Sequence, residues 1–404
     1  MVRANSLLYA IYVCLIISIL CAALLYIANL YGQLNVYYNN HEDLYIQNQS
    51  FVNYALANMQ KDDNQTSEIL EENGIESFYE AKPYGLLSIL KATSLVGNDT
   101  VVSTHIIGGE IPSKTCIYTP AQSRPLSYSG TVKLIGDRYL PSDYIKVAYI
   151  NNKPNKLEVS GKLINPEQKL PELSDNFFKA FMGSKGIITK INDLPQKESV
   201  YYNSFLQPTV QVVMSGTLLS DIKIKGNIII TSNDSIVVAA SASLQDIILM
   251  APKVFISNDF KGSVQVFATE KIEVGNKVIL TYPSALCIYN TSKQKTSIIA
   301  GEQLAISGAI VLYSGETLKR ENDLIQIGQA GNITGDIYCT GDVMLKSDVY
   351  GAVYAGKFMY KTFSGEYDNC IADVEINALK RPKFFVSVPL FKNKTNYAAI
   401  KKAM

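Results

Sequence analysis

The sequence predicts a mainly β protein in which an N-terminal transmembrane and stalk α-helix is followed by a right-handed parallel β-solenoid-like domain with a loop and short-helix insertion. Three observations support this prediction. Residues 4–40 contain no Asp, Glu, Lys, Arg or His. Apolar residues then continue at helical spacing to about residue 60. Between residues 209 and 360, short apolar runs recur at steps of 16 to 26 residues.

The first element is an anchor, assigned to residues 1–33. The almost wholly apolar stretch from Leu7 to Tyr31 would form a helix of about 37 Å at 1.5 Å per residue. The hydrocarbon core of a bilayer is about 30 Å thick, so residues 7–31 are expected to cross a lipid bilayer. A cleaved signal peptide is the alternative, but its apolar core is shorter and ends at a small-residue cleavage site.

The charges on either side of the anchor predict its orientation. Arg3 precedes the helix, whereas Glu42 and Asp43 are the first charges after it. Because positive flanks stay in the cytoplasm, the sequence predicts a single-pass membrane protein with a cytoplasmic N-terminus. The bulk of the chain is then exported.

The second element is an amphipathic stalk helix over residues 34–62, ended by the polar segment 61–64. Its apolar positions share one helical stripe, which needs a covering partner. That partner is either the chain's own globular domain or a multi-chain helical bundle. The stripe consists of Leu34, Tyr38, Tyr45, Val52, Leu56 and Met59.

The remaining chain divides into an α/β cap or lead-in segment at 63–125, a β-solenoid at 126–365 and a C-terminal cap and tail at 366–404. An insertion is expected at about 145–208. Within it, Ser174 is a candidate N-cap for a helix from Asp175 to Met182, with Gly183 as its stop. Phe177, Phe178 and Phe181 would form the buried face of this helix.

Parallel coils are favoured over an antiparallel sandwich in the region 209–360. The apolar runs there mix continuous and alternating patterns, as strands buried in a narrow coil should, and tight two-residue hairpin signals are few. Four tyrosines end similar runs, and at least two of them are expected to stack in neighbouring coils of the solenoid's interior. They are Tyr289, Tyr313, Tyr338 and Tyr354.

The sequence shows no catalytic, cofactor-binding or metal-binding set, and none is predicted. His41 and His105 are the two histidines of the chain, and nothing beside them marks a catalytic triad. The cysteines form no CxxC pattern, and Cys116, Cys287, Cys339 and Cys370 are interpreted as buried free thiols, with one disulfide as the alternative. Since 37 basic residues balance 36 acidic ones, no nucleic-acid partner is expected.

The order of parts over residues 1–60 resembles bacterial pilin-like membrane proteins, the pseudopilins and minor pilins. The shared features are a short basic start at Arg3, an apolar helix that serves as both anchor and assembly stalk, an amphipathic continuation and an exported β-rich domain. The resemblance implies that the membrane is a bacterial inner membrane and that the exported part lies in the periplasm or at the cell surface. The family's processing motif is absent, because the segment Arg3–Leu7 contains no Gly and the apolar run contains no Glu.

Two functional hypotheses follow. The first is a non-enzymatic, membrane-anchored envelope protein that is a structural or assembly component of a pilin-like surface or secretion apparatus, with protein partners or self-assembly through the stalk. The alternative is a membrane-tethered β-helix protein that binds or cleaves carbohydrate, for which the partner would be a polysaccharide.

Overall fold

The computed structural model describes residues 4–59, 69–72, 74–110, 114–150, 154–182, 186–292, 294–315, 323–392 and 396–403. It contains one long helix, α1 (Ala4–Asn58), and a short helix, α2 (Asp175–Ala180). Two 3-10 turns lie at Ile191–Asp193 and Ala378–Lys380. The rest of the secondary structure formed by these described residues is β, so the prediction of a mainly β chain with one long N-terminal apolar helix is confirmed. The polar segment 61–64 and Gly183 lie outside the described residues.

The strands are numbered in chain order. They are β1 (Ile69–Glu72), β2 (Ile75–Tyr84), β3 (Leu87–Val96), β4 (Asp99–Glu110), β5 (Thr115–Tyr118), β6 (Ser127–Ser129), β7 (Thr131–Ile135), β8 (Asp137–Tyr139), β9 (Lys146–Val147), β10 (Lys156–Ser160), β11 (Leu163–Ile164), β12 (Ile187–Thr189), β13 (Gln196–Lys197), β14 (Val200–Asn203), β15 (Val210–Val213), β16 (Leu218–Leu219), β17 (Lys223–Gly226), β18 (Ile228–Thr231), β19 (Ser235–Val238), β20 (Ser243–Met250), β21 (Lys253–Ile256), β22 (Lys261–Ala268), β23 (Lys271–Val274), β24 (Ile279–Asn290), β25 (Thr296–Ala300), β26 (Ala305–Ser314), β27 (Asp323–Ile327), β28 (Asn332–Leu345), β29 (Asp348–Tyr350), β30 (Val353–Lys361), β31 (Glu366–Asp368), β32 (Cys370–Ala372), β33 (Glu375–Asn377) and β34 (Asn396–Ala403).

The chain forms two compact units. The first comprises Met1–Ala55, Thr66–Glu80 and Ala92–Ser103, and the second comprises Leu56–Gln65, Ala81–Lys91 and Thr104–Met404. A five-stranded sheet has the order β1-β2-β3-β4-β34. Its outer pairs, β1 with β2 and β4 with β34, are antiparallel.

The buried face of α1 differs from the predicted stripe. Leu34, Tyr38 and Tyr45 are exposed, and of the predicted positions Val52 and Leu56 are buried. The fully buried positions on the helix are instead Leu44, Asn48, Phe51 and Ala55, which follow one another at steps of 4, 3 and 4. The prediction missed this face because its centre is an asparagine, which interrupts the apolar pattern.

The second unit is dominated by parallel pairing, which confirms the parallel alternative over the antiparallel one. Consecutive strands belong to different ladders. Within a ladder, a strand pairs with the strand at the equivalent position of the next repeat. The central ladder stacks nine fully buried aliphatic residues, one from each of nine strands. They are Val212, Ile230, Leu249, Val266, Leu286, Ile310, Ile337, Val353 and Ile117.

Two further ladders contribute to the same apolar core. The second ladder runs through Val238, Ile256, Val274, Ala300, Ile327 and Leu345. The third ladder runs through Leu280, Ile306, Ile333, Val349, Ile376 and Leu134. One core is thus lined by three sets of strands, each contributed repeatedly along the chain.

Glycine is required where neighbouring repeats approach most closely. Gly308 has φ of +149°, and a Cβ there would lie 1.7 Å from the carbonyl oxygen of Ser284. Gly335 lies in the next repeat with φ of +132° and would meet the carbonyl oxygen of Gly308 at the same 1.7 Å. Side chains at these two stacked positions would push the ladders apart.

The order of strands in the ladders differs from their order in the sequence. Strands β5 and β7 pair with β30 and β33, which come near the end of the chain. Strands β10 and β11, from within the predicted insertion at 145–208, pair in turn with β7 and β8. The N-terminal repeat of this unit therefore stacks on its C-terminal repeat.

The segment 165–182, here called the strap, connects the two ends of the stack. It begins beside Tyr118, whose hydroxyl accepts from the backbone N–H of Glu167 at 3.0 Å, and the hydroxyl of Tyr338 donates to the carbonyl of Pro171 at 3.0 Å. It ends with α2, which lies close to the predicted helix. Phe177 is fully buried, whereas Phe178 and Phe181 are half-buried.

The four predicted tyrosines form two pairs of neighbouring rings beneath the strap. Tyr289 and Tyr313 have ring centroids 5.9 Å apart, and Tyr338 and Tyr354 have centroids 6.3 Å apart. Each pair lies side by side in neighbouring repeats on one face, as predicted, although the rings are tilted by 46° and 34°. The predicted interior location is wrong. These rings belong to a separate cluster with Phe177, because they alternate along each strand with the residues of the central core.

A buried ion pair holds the C-terminal segment against strand β28 within this unit. The guanidinium of Arg381 donates to Asp336 Oδ1, and both side chains are almost completely buried. The same carboxylate oxygen accepts from the backbone N–H of Ala352 at 3.1 Å. Arg381 also lies over the ring of Phe385, with its guanidinium carbon 5.8 Å from the centroid.

Candidate functional site

The exposed surface of α1 is the most unusual feature of the first unit. All side chains described from residue 6 to residue 43 are exposed, including Leu7, Tyr31 and Tyr38. The helix is long and apolar enough to cross a membrane. The charge-free residues 4–40 would extend about 55 Å at 1.5 Å per residue, which exceeds the bilayer core of about 30 Å.

The apolar surface therefore continues beyond any bilayer that residues 7–31 could span. Leu34, Val36, Tyr37 and Tyr38 are each between 48 and 61% exposed. A run of exposed apolar side chains of this length marks a surface that contacts a membrane or another protein. A helix with this surface can pack against other apolar helices without losing a hydrogen bond.

A buried polar cluster joins the C-terminal half of α1 to the sheet of the first unit. The Asn48 side chain is fully buried, and its Nδ2 donates to the carbonyls of Ala92 and Val101, each at 3.3 Å, and to Ser94 Oγ at 3.2 Å. Its Oδ1 accepts from Ser103 Oγ at 2.6 Å. Because a buried amide without partners costs free energy, these bonds fix both the depth and the rotation of the helix.

Two further contacts lie on either side of this cluster. Toward the end of the helix, the ring of Phe51 packs on Tyr79 with centroids 6.0 Å apart. Toward the N-terminus of the helix, His41 Nδ1 lies 2.9 Å from Asp99 Oδ2 at the surface. Asn48 therefore lies between an apolar contact and a polar one, and the helix before His41 has no described contact with the sheet.

A second buried polar cluster lies where the sheet strand β2 ends, within the second unit. The hydroxyl of Tyr84 donates toward the carbonyls of Asp246 at 2.7 Å and Gly226 at 3.1 Å. Gln265 spans the turn after Tyr84, since its Oε1 accepts from Leu86 N at 2.8 Å and its Nε2 donates to Tyr84 O at 3.1 Å. These bonds join residues 84–86 directly to the parallel ladders.

Two charged side chains, Asp246 and Lys401, lie beside this Tyr84 cluster. Asp246 Oδ1 accepts from Lys401 Nζ at 2.5 Å and from Ser263 Oγ at 2.9 Å. Burial, with a smaller contribution from the Asp246 carboxylate, raises the pKa of the Tyr84 hydroxyl well above its usual value. Tyr84 therefore stays protonated at any physiological pH and acts as a hydrogen-bond donor rather than as a base.

Burial shifts the pKa of several cysteine side chains and of one histidine. Burial raises the pKa of the Cys116 thiol to about 12 and raises that of Cys287 well above its usual value. Burial and the nearby Lys402 lower the pKa of His105. His105 and His41 lie on different units, and no cluster of metal-ligating side chains occurs among the described residues.

No protein-family model matches the chain, and no curated protein matches it. Among solved structures, the chain is similar to the competence-associated pilin ComZ from Thermus thermophilus. The two share 8% sequence identity over 83% of this chain and 86% of that one, with a TM-score of 0.26. At these values the likeness is coarse.

Sequence reasoning found the exposed helix but missed both polar clusters. Asn48 and Gln265 resemble surface residues in the sequence, and their burial depends on strands that lie far away in the chain. The one available signal was Asn48 on an otherwise apolar helical face, at a position four residues from Leu44 and three from Phe51.

Proposed function

We propose that the chain is a non-enzymatic, membrane-anchored envelope protein that takes part in a pilin-like assembly through α1. The observation that carries the proposal is the length of the charge-free helix. It exceeds the bilayer core by about 25 Å, and its exposed residues outside the bilayer include Leu34 and Tyr38. Apolar helices of other anchored chains are the partners that such a surface fits.

The exported part of this proposal is a right-handed parallel β-solenoid. The support is that three parallel ladders recur in the same order and line one core. Coils that stack in this way share a continuous apolar interior. The solenoid would serve as the exposed body that the helix presents outside the membrane.

The proposed topology places the N-terminus in the cytoplasm and the sheet and ladders outside. Arg3 precedes the helix and Glu42 and Asp43 follow it, in agreement with the positive-inside rule. Protease added to intact spheroplasts should digest the chain beyond about residue 40. Full protection of the ladder region would overturn this orientation.

The assembly role is tested by photocrosslinking in native membranes. A benzophenone amino acid at Leu34 or Tyr38 should give adducts with another chain, because both side chains are exposed outside the bilayer span. Tyr149 is 88% exposed on the second unit and provides the matched control. If both helix positions yield no protein adduct, or no more than Tyr149 does, α1 is an anchor without an assembly role.

A further inference from the structure

An open groove of about 770 Å³ lies on the second unit, beside the turns that connect the second and third ladders. Three turn residues line it, Asn276, Glu302 and Gln329, each from a successive repeat. The wall beyond them is the hairpin of β30 and β31, with Phe363 at its tip. The Phe363 ring is fully exposed, so its apolar face stands open to solvent at the edge of the groove.

The groove carries polar groups with unused hydrogen-bonding capacity. The side chains of Gln326 and Gln329 line it and make no hydrogen bond to the described residues. Asn276 Oδ1 accepts from the backbone N–H of Glu302 at 2.8 Å, which orients the amide and leaves its NH₂ donors available. Each amide side chain offers both donors and an acceptor, so the row can bind groups that both donate and accept.

The charges of the groove are balanced. Lys361 lies 2.5 Å from Glu366 in an ion pair, and Lys346 lies over the ring of Tyr360 at 5.9 Å. Glu302 adds a negative charge on the opposite side. A polyanion such as nucleic acid needs a net positive surface, and this groove does not supply one.

The floor of the groove also disfavours an extended peptide. Peptides in extended conformation bind by adding to an open strand edge. The strands beneath the groove, β25 and β27, are each paired on both sides, so their backbone groups are occupied. Recognition here must use side chains.

We propose that this groove binds an extended, uncharged glycan. The face of a sugar ring is apolar and packs on an aromatic ring such as Phe363. Its hydroxyls both donate and accept hydrogen bonds, which matches the amides of Asn276, Gln326 and Gln329. The groove is within the size range of small-ligand sites.

The test uses the full-length protein in lipid nanodiscs, titrated calorimetrically with chitohexaose, cellohexaose and maltohexaose. At least one hexasaccharide should bind. Phe363→Ala and Gln326→Ala should each weaken that binding by about tenfold. Since both side chains are exposed, circular dichroism of the two variants should match that of the parent protein.

Phe384→Ala is the matched control, because Phe384 is equally exposed but lies outside the groove. Its affinity should be unchanged. The proposal is overturned if none of the three hexasaccharides binds, or if binding is unaffected by both groove variants. It is also overturned if Phe384→Ala weakens binding as much as Phe363→Ala does.

Discussion

Replacing Asn48 by alanine should detach α1 from the sheet of the first unit. The substitution removes the Nδ2 donor that serves Ser94 and Val101 and the acceptor that serves Ser103. Each buried group left without a partner costs about 1–3 kcal/mol, and the shared donor makes the separate contributions non-additive. We therefore expect a loss of about 3 kcal/mol in the local stability of this unit.

Hydrogen exchange measures this loss in the right part of the chain. The backbone amides of β3 and β4 in the first unit should exchange about 100-fold faster in Asn48→Ala, because 1.4 kcal/mol corresponds to a factor of ten. A global melting curve would mix the two units and is less informative. The amides of the central ladder, such as Ile310, should be unaffected.

Asn53→Ala is the matched control, since Asn53 lies on the same helix but is exposed. It should leave exchange in β3 and β4 unchanged. If Asn48→Ala behaves like Asn53→Ala, the polar cluster does not hold the helix. The burial of Leu44 and Phe51 would then be sufficient to hold the helix on the sheet.

Three further predictions concern the second unit. Its free energy of unfolding should fall as the pH rises above about 10, because burial keeps Tyr84 protonated in the folded state while the unfolded chain ionises near its usual pKa of 10.0; Tyr84→Phe should reduce this loss in alkaline denaturation curves. Arg381→Met should destabilise the unit by about 3–5 kcal/mol in urea unfolding, since it leaves the Asp336 charge buried without its partner. The thiols of Cys116 and Cys287 should resist a maleimide reagent at pH 8 until guanidinium is added, since burial suppresses both accessibility and the thiolate.

Each of these has a direct control. Tyr149→Phe changes an exposed tyrosine and should leave the alkaline loss as it is in the parent protein. Adding Asp336→Asn to Arg381→Met should recover part of the lost stability, because the uncompensated charge is then removed. Native labelling of Cys116 at the rate of a free thiol would show that its environment is not closed.

The sequence predicted those parts of the fold that depend on local pattern. The absence of charge over residues 4–40 predicted the long helix, and the recurrent apolar runs predicted parallel strands. Ser174 and the phenylalanines near Phe177 predicted α2 to within two residues of its observed end. In each case the signal lies within a few residues of the element that it predicts.

What the sequence missed depends on contacts between distant residues. Asn48 hydrogen-bonds Ser94 and Ser103, which lie 46 and 55 residues later in the chain. The residues near Asn48 form an apolar helical face, but they do not identify these partners. The tyrosines were predicted in the central core, but they lie on the opposite face of their strands, under the strap. Their spacing shows that they share one face, but it does not show which face points into the core. The groove residues Gln326 and Phe363 belong to different repeats and look like ordinary surface residues.

The stacking of the N-terminal repeat on the C-terminal one has a consequence during synthesis. The hydroxyl of Ser127 donates to the carbonyl of Asn369, which is 242 residues later in the chain. At about 5–20 residues per second, synthesis of these 242 residues takes about 10 to 50 s. The first repeat stays uncovered during that time. Throughout that time the edges of β5 and β7 are open to other strands. If the chain is exported as proposed, its export should therefore depend on a holding chaperone until residue 377 has emerged. A chain truncated before β29 should aggregate even though most of its ladders are present.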